Sequence, residues 1–208
     1  MDKVDLEKEL PSYRAKQGEF ATLEVPSLNY LMIDGHGDPN SSPEFTSAVE
    51  TLFPVAYALK FFSKGELGRD YVVPPLEGLW WAEDMRAFTD ARDKSQWDFT
   101  LMLLVPDWLD RSHIDHAAEA AARKRTPPRL DDVRFETLEE GTCVQTFHVG
   151  PFDAEAAVLE HMHSDVIPGA GFTLSGKHHE IYLSDLRRTA PERLRTILRQ
   201  PVRQGPAE

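Results

Sequence analysis

Twice along the chain the spacing of apolar residues shifts from a period of two to a helical period and back, and this repeat limits the folds open to it. A period of two buries one face of a strand, whereas a period near 3.6 buries one stripe of a helix. In the first round Leu28, Tyr30 and Met32 alternate before the turn-rich run Asp34-Gly35-His36-Gly37-Asp38-Pro39-Asn40. Ser41-Ser42-Pro43-Glu44 then opens a helix, with a serine to cap it, a proline where its missing N–H costs nothing, and an acid in the first turn. Phe45, Val49, Leu52, Phe53, Ala56 and Leu59 carry that helix to Ser63, with Pro54 bending it and Gly65 as its stop. Strand-like pieces follow at 71–73, 78–81 and 97–105, and Pro106 ends the last.

The second round runs from a strand at 133–149 through the turn Gly150-Pro151-Phe152-Asp153 to a helix from Ala154 to Val166, then strands at 172–174 and 178–183. His36-Gly37-Asp38-Pro39 before the first helix matches Val149-Gly150-Pro151-Phe152-Asp153 before the second, and Leu104-Val105-Pro106-Asp107 stands where Tyr182-Leu183-Ser184-Asp185 stands. The expectation is one α+β domain over residues 1–208, built by tandem duplication of a strand–helix–strand–strand module. The first module covers about 20–106 and the second about 133–185, with a connector helix at about 107–128 and a C-terminal helix at about 189–200. The stretch 20–33 reads as one strand interrupted by Pro26. The C-terminal helix rests on Leu194, Ile197 and Leu198 at helical spacing, in a basic segment from Arg187 to Arg203 whose arginines are expected to be solvated.

A formal charge of −12 makes the surface repel phosphate backbones, so nucleic acid is not an expected direct partner. No apolar leader opens the chain and no apolar run is long enough to span a bilayer, which leaves the cytoplasm as the expected location and no membrane contact. Cys143 is the single cysteine, and its setting in Cys143-Val144-Gln145-Thr146-Phe147 reads as a buried strand thiol.

The phrases Leu28-Asn29-Tyr30-Leu31-Met32-Ile33-Asp34-Gly35-His36-Gly37-Asp38-Pro39-Asn40, Leu76-Glu77-Gly78-Leu79-Trp80-Trp81 and His178-His179-Glu180-Ile181-Tyr182-Leu183-Ser184-Asp185 resemble those of stand-alone GyrI-like domain proteins over nearly the whole chain. The resemblance implies SHS2-like modules, each with its helices behind a sheet, and a ligand groove between the modules. It implies a hydrophobic, flat or cationic small molecule as partner, since the same domain type is the drug-sensing half of multidrug-responsive regulators, where a buried glutamate among aromatics receives the ligand. Some stand-alone members act as hydrolases that open cyclopropane rings of DNA-alkylating natural products, a detoxifying reaction that needs no cofactor. With about 20 residues before the first strand, a binder or an enzyme is expected rather than a complete regulator with a helix-turn-helix.

Glu180 is the leading candidate for chemistry. Alternation puts His178, Glu180 and Tyr182 on one strand face and the more apolar His179, Ile181 and Leu183 on the other; the second set is expected to face the helices and the first the groove. A carboxylate in a partly apolar cleft suits either cation capture or general-base work. Tyr182 is the expected hydrogen-bond donor to a developing oxyanion. Trp80, Trp81, Tyr30 and Phe147 supply aromatic surface for a flat ligand, with Glu77 and His178 as further polar contacts, and only one of the adjacent Trp80 and Trp81 is expected to line the groove. Neither His161 with His163 nor His178 with His179 has the spacing to hold one metal ion. Three functions remain open: a cyclopropanoid hydrolase using carboxylate-activated water, a module that sequesters drugs through the same residues, and a protein-interaction modulator of a topoisomerase. The expected assembly is a monomer or weak homodimer.

Overall fold

The computed structural model describes residues 3–83, 93–185 and 188–205. Its chain folds as two compact α+β units, one formed by Met1–Glu9 and Leu28–Leu138, the other by Leu10–Ser27 and Glu139–Glu208. The first unit holds α1 (Leu6–Glu9), β2 (Leu28–His36), α2 (Pro43–Glu66), β3 (Leu76–Trp81), β4 (Asp98–Val105), α3 (Arg111–Lys124) and β5 (Arg134–Leu138). The second holds β1 (Ala21–Val25), β6 (Gly141–Val149), α4 (Glu155–His161), a π-helical turn (Met162–Val166), α5 (Ile167–Gly169), β7 (Phe172–Leu174), β8 (His178–Tyr182) and β9 (Arg195–Gln204).

The sheet of the first unit runs β3-β4-β2-β5, antiparallel throughout. That of the second runs β8-β9-β6-β1, also antiparallel, with β7 on the last residues of β9. The stretch 20–33 is therefore two strands in different units. Pro26 lacks a ladder donor, so β1 ends at Val25 and pairs with β6, while β2 starts at Leu28 and pairs with β4 and β5. In the same way the expected strand at 133–149 breaks at Glu139-Glu140 into β5 of the first unit and β6 of the second. Helix α2 starts as its residues require, with the Ser42 hydroxyl accepting from the Phe45 amide and donating to the His36 carbonyl. It runs on past Gly65 to Glu66, for a glycine costs an exposed helix only about 1 kcal/mol.

The C-terminal segment corrects the helix expected at about 189–200. After a 3-10 turn at Pro191–Arg193 it forms β9, the strand between β8 and β6, buried from Thr196 through Val202. A strand covered on both faces shows no alternation, so Leu194, Ile197 and Leu198 mimic helical spacing. Arg199 is not solvated but buried, whereas Arg187 lies outside the described residues. The strand after β8 thus completes the second unit, and its boundary passes 185 to include β9.

Unit 1 packs Leu31 and Ile33 of β2 and Phe99, Leu101 and Leu103 of β4 as core, with Ala48, Leu52, Val55 and Leu59 of α2 equally buried. Gly35 serves that packing, because a Cβ there would stand 2.3 Å from the Phe99 ring. Gly35→Ala is expected to lower stability by about 1–3 kcal/mol through overpacking, read as a lower urea midpoint at unchanged slope.

Candidate functional site

Strand β8 pairs with β9 so that Glu180 stands opposite Leu198 and Tyr182 opposite Thr196, while His179 stands opposite Arg199 and Ile181 opposite Ile197. Through β9 the first pair continues to Thr146 and His148 of β6, on the face that also carries Val144 and Val202. Val144 and Val202 pack on Met162 and Ile167 of the helical segment. His178, Glu180 and Tyr182 therefore share the helix-covered face of their sheet, the reverse of the expected assignment. The reason lies in the other face. Arg199 Nη2 donates to the Ser12 carbonyl at 2.6 Å and Gln145 Nε2 to the Arg14 carbonyl at 3.0 Å, so the arm before β1 covers that side with polar contacts instead of a helix.

The three side chains form one cluster. Tyr182 Oη donates to Glu180 Oε2 at 2.8 Å, and His178 Nε2 lies 3.5 Å from Glu180 Oε1. Their burial is deep but incomplete, with 10% of the His178 side chain and 13% of the Glu180 side chain exposed. Phe152 meets Tyr182 edge-on at 5.8 Å. His163 of the π-helical turn meets His178 edge-on at 6.2 Å. Burial, reinforced by His178, pushes the His163 imidazole down to about 4, so it is neutral at physiological pH. Both nitrogens of His178 and Nε2 of His163 are buried without a hydrogen-bond partner among the described residues. Buried polar atoms ordinarily find partners, and π turns recur at functional sites, so these two imidazoles mark a place suited to a polar ligand group. Neither His163 nor Phe152 was a candidate from sequence; the one available signal was the Gly150-Pro151-Phe152-Asp153 turn that points Phe152 toward the helix start.

Phe147 stands opposite Ile197, on the face away from Glu180, and does not join this cluster. In the first unit Trp80 is core, stacked on Phe45 of α2 at 6.3 Å and edge-on to Trp97 at 5.8 Å. Trp81 alternates to the other face, partly exposed, together with Glu77. Glu77 is fully buried there and accepts from the Tyr30 hydroxyl at 3.3 Å. The predicted residues thus fall into a Glu180–Tyr182–His178 cluster in one unit and a Tyr30–Glu77 pair, with Trp81 on its face and Trp80 behind it, in the other. Cys143 is buried in β6 as expected, its thiol pushed up to about 12 by burial. Among the described residues no group of three or more His, Cys, Asp or Glu side chains could hold a metal ion, and no helix is long and apolar enough to cross a membrane.

The GyrI-like small molecule binding domain family matches residues 19–203, and the chain belongs to it. A conserved protein from Listeria innocua of uncharacterised activity is 38% identical, with a TM-score of 0.87 over 97% of this chain and 100% of that one. Two hydrolases from Listeria innocua are 37% and 35% identical, with TM-scores of 0.86 and 0.84 over the same shares. No curated protein matches the chain.

Because the folded-state value of His163 is depressed, the unfolded chain binds a proton that the folded chain refuses between about pH 6.5 and 4. Its contribution to stability is present above that window and is lost as pH falls through it. Imidazole NMR is expected to find His163 neutral at pH 6, and His163→Gln is expected to flatten the loss of stability across the window in urea titrations.

Proposed function

We propose that this protein hydrolyses small electrophilic molecules that carry a strained ring, with Glu180 as general base and Tyr182 as its hydrogen-bonding partner. The observation that carries the reading is the 2.8 Å Tyr182–Glu180 bond on a nearly enclosed sheet face. The likeness to two hydrolases at 35% and 37% identity supports it. For a cyclopropane conjugated to a carbonyl, the Glu180 carboxylate takes a proton from water and the water oxygen attacks a ring carbon. The ring C–C bond breaks and its electron pair moves through the conjugated system to the carbonyl oxygen. Glu180 becomes a poorer acceptor once protonated, which frees the Tyr182 O–H to donate to that new oxyanion. The proton on Glu180 then passes to the product oxygen, and the balance is one water added. Phe152 and Tyr182 offer ring edges and faces to a flat substrate.

The matching orders β3-β4-β2-β5 and β8-β9-β6-β1 support an origin by duplication. The negative net charge favours a neutral or cationic substrate over an anionic one.

Incubation with a panel of cyclopropane-bearing alkylators is expected to yield products heavier by one water in mass spectrometry. Glu180→Gln keeps the size of the side chain and removes its basicity, and it is expected to cut turnover roughly 100-fold or more with little change in binding of an uncharged substrate. Binding without any addition of water by the wild-type protein would instead identify a sequestering module.

A further inference from the structure

Helix α2 buries one stripe against its sheet and leaves aromatic side chains on its outer side. Tyr57 is 48% exposed and Phe61 is 59% exposed. With Phe53 they form a ladder along the helix, each ring centroid 6.5 Å from the next. Exposed apolar residues scattered singly need no explanation, but a contiguous aromatic row on a charged surface marks an interaction site. Lys64, with its side chain 56% exposed, and the exposed Glu50 bound the row at its two ends.

The spacing of these residues identifies the occupant. Phe53 and Phe61 stand four residues either side of Tyr57, and Glu50 and Lys64 seven residues either side. The row is thus symmetric in side-chain type about Tyr57 and antisymmetric in charge. Two copies of the helix laid antiparallel about a two-fold axis at Tyr57 place Phe53 against Phe61 and Glu50 against Lys64, twice over. Such an isologous pairing needs each patch to complement itself, which this row does. We infer that the protein forms a homodimer through α2, with Tyr57 on the two-fold axis. Lys64 also contacts Asp70 at 3.0 Å, but Asp70 keeps Lys60 at 2.5 Å when Lys64 turns to the second copy. The row from Glu50 to Lys64 is about 21 Å long, enough for a weak and reversible contact and short of the area that permanent dimers bury.

Sedimentation equilibrium of the full chain from about 1 μM to 1 mM is expected to show a monomer–dimer equilibrium. Glu50→Lys sets two like-charged pairs across the axis and is expected to weaken dimerisation about tenfold, while Glu50→Lys combined with Lys64→Glu restores it to within about threefold. Tyr57→Cys is expected to cross-link into a covalent dimer on mild oxidation, since Cys143 is buried and Tyr57 meets its own copy. A chain that stays monomeric at 1 mM overturns the inference. So does a dimer indifferent to Glu50→Lys, or a Tyr57→Cys chain that cross-links no faster than wild type.

Discussion

Arg199 is the residue around which the second unit is organised. It is buried in the strand between β8 and β6, and its guanidinium reaches in three directions: to Glu140 at 2.8 Å, to Gln145 at 3.1 Å and to the Ser12 carbonyl at 2.6 Å. His179 completes the cluster, with Nδ1 at 2.9 Å from Glu140. Burial alone pushes the Glu140 carboxyl up, yet His179 and Arg199 together outweigh it and hold the group at about 2. Such a cluster is weak evidence of net stability, but losing Glu140 or Arg199 strands the buried charge of the other, at a cost of about 3–5 kcal/mol. It fixes the arm before β1, the turn before β6 and the two strands β8 and β9 in a single arrangement. Glu180 follows His179 directly, so the cluster also sets the strand that carries the proposed base, from the opposite face.

Much of the fold was legible because it depends on local chemistry. Ser42, Pro43 and Glu44 announce α2 through capping, and the alternation of Leu28, Tyr30 and Met32 announces β2. What escaped depends on pairing across distance. Nothing near Pro26 says that β1 joins β6 while β2 joins β4, because each strand alone alternates acceptably. Strand β9 escaped because burial on both faces removes the period by which a strand is known. An arginine within Ile197-Leu198-Arg199-Gln200-Pro201-Val202 looks like a solvated charge until Glu140 is found beside it.

The reversed faces of β8 have the same origin. Apolar count favoured the side of His179 and Ile181 as the one to meet a helix, on the premise that helices cover the apolar side. That premise fails where a polar face is satisfied internally, as by Glu140, Arg199 and the carbonyls of residues 12 and 14. The alternation itself was sound: Glu180, Tyr182 and His178 do share a face, and Trp80 and Trp81 do part company. Periodicity groups residues, but it takes the identity of what lies above each face to say which group meets the helix.

The two sheets carry one further argument about where chemistry belongs. Gly37 and Gly150 both close the strand before a helix with positive φ, of 98° and 145°. Two residues before each, Gly35 leads across its ladder to Phe99 and Trp80, and His148 leads to Thr196 and Tyr182. By this register Trp80 holds the place of Tyr182, Gly78 that of Glu180 and Leu76 that of His178. The same positions are thus apolar or empty in one unit and acid, hydroxyl and imidazole in the other. A scaffold kept for stability alone has no need of a largely buried carboxylate, tyrosine and histidine where its counterpart is served by leucine, glycine and tryptophan. The polar triplet costs desolvation that its counterpart avoids, and that asymmetry supports β8 over β3 as the strand of the proposed reacting groups.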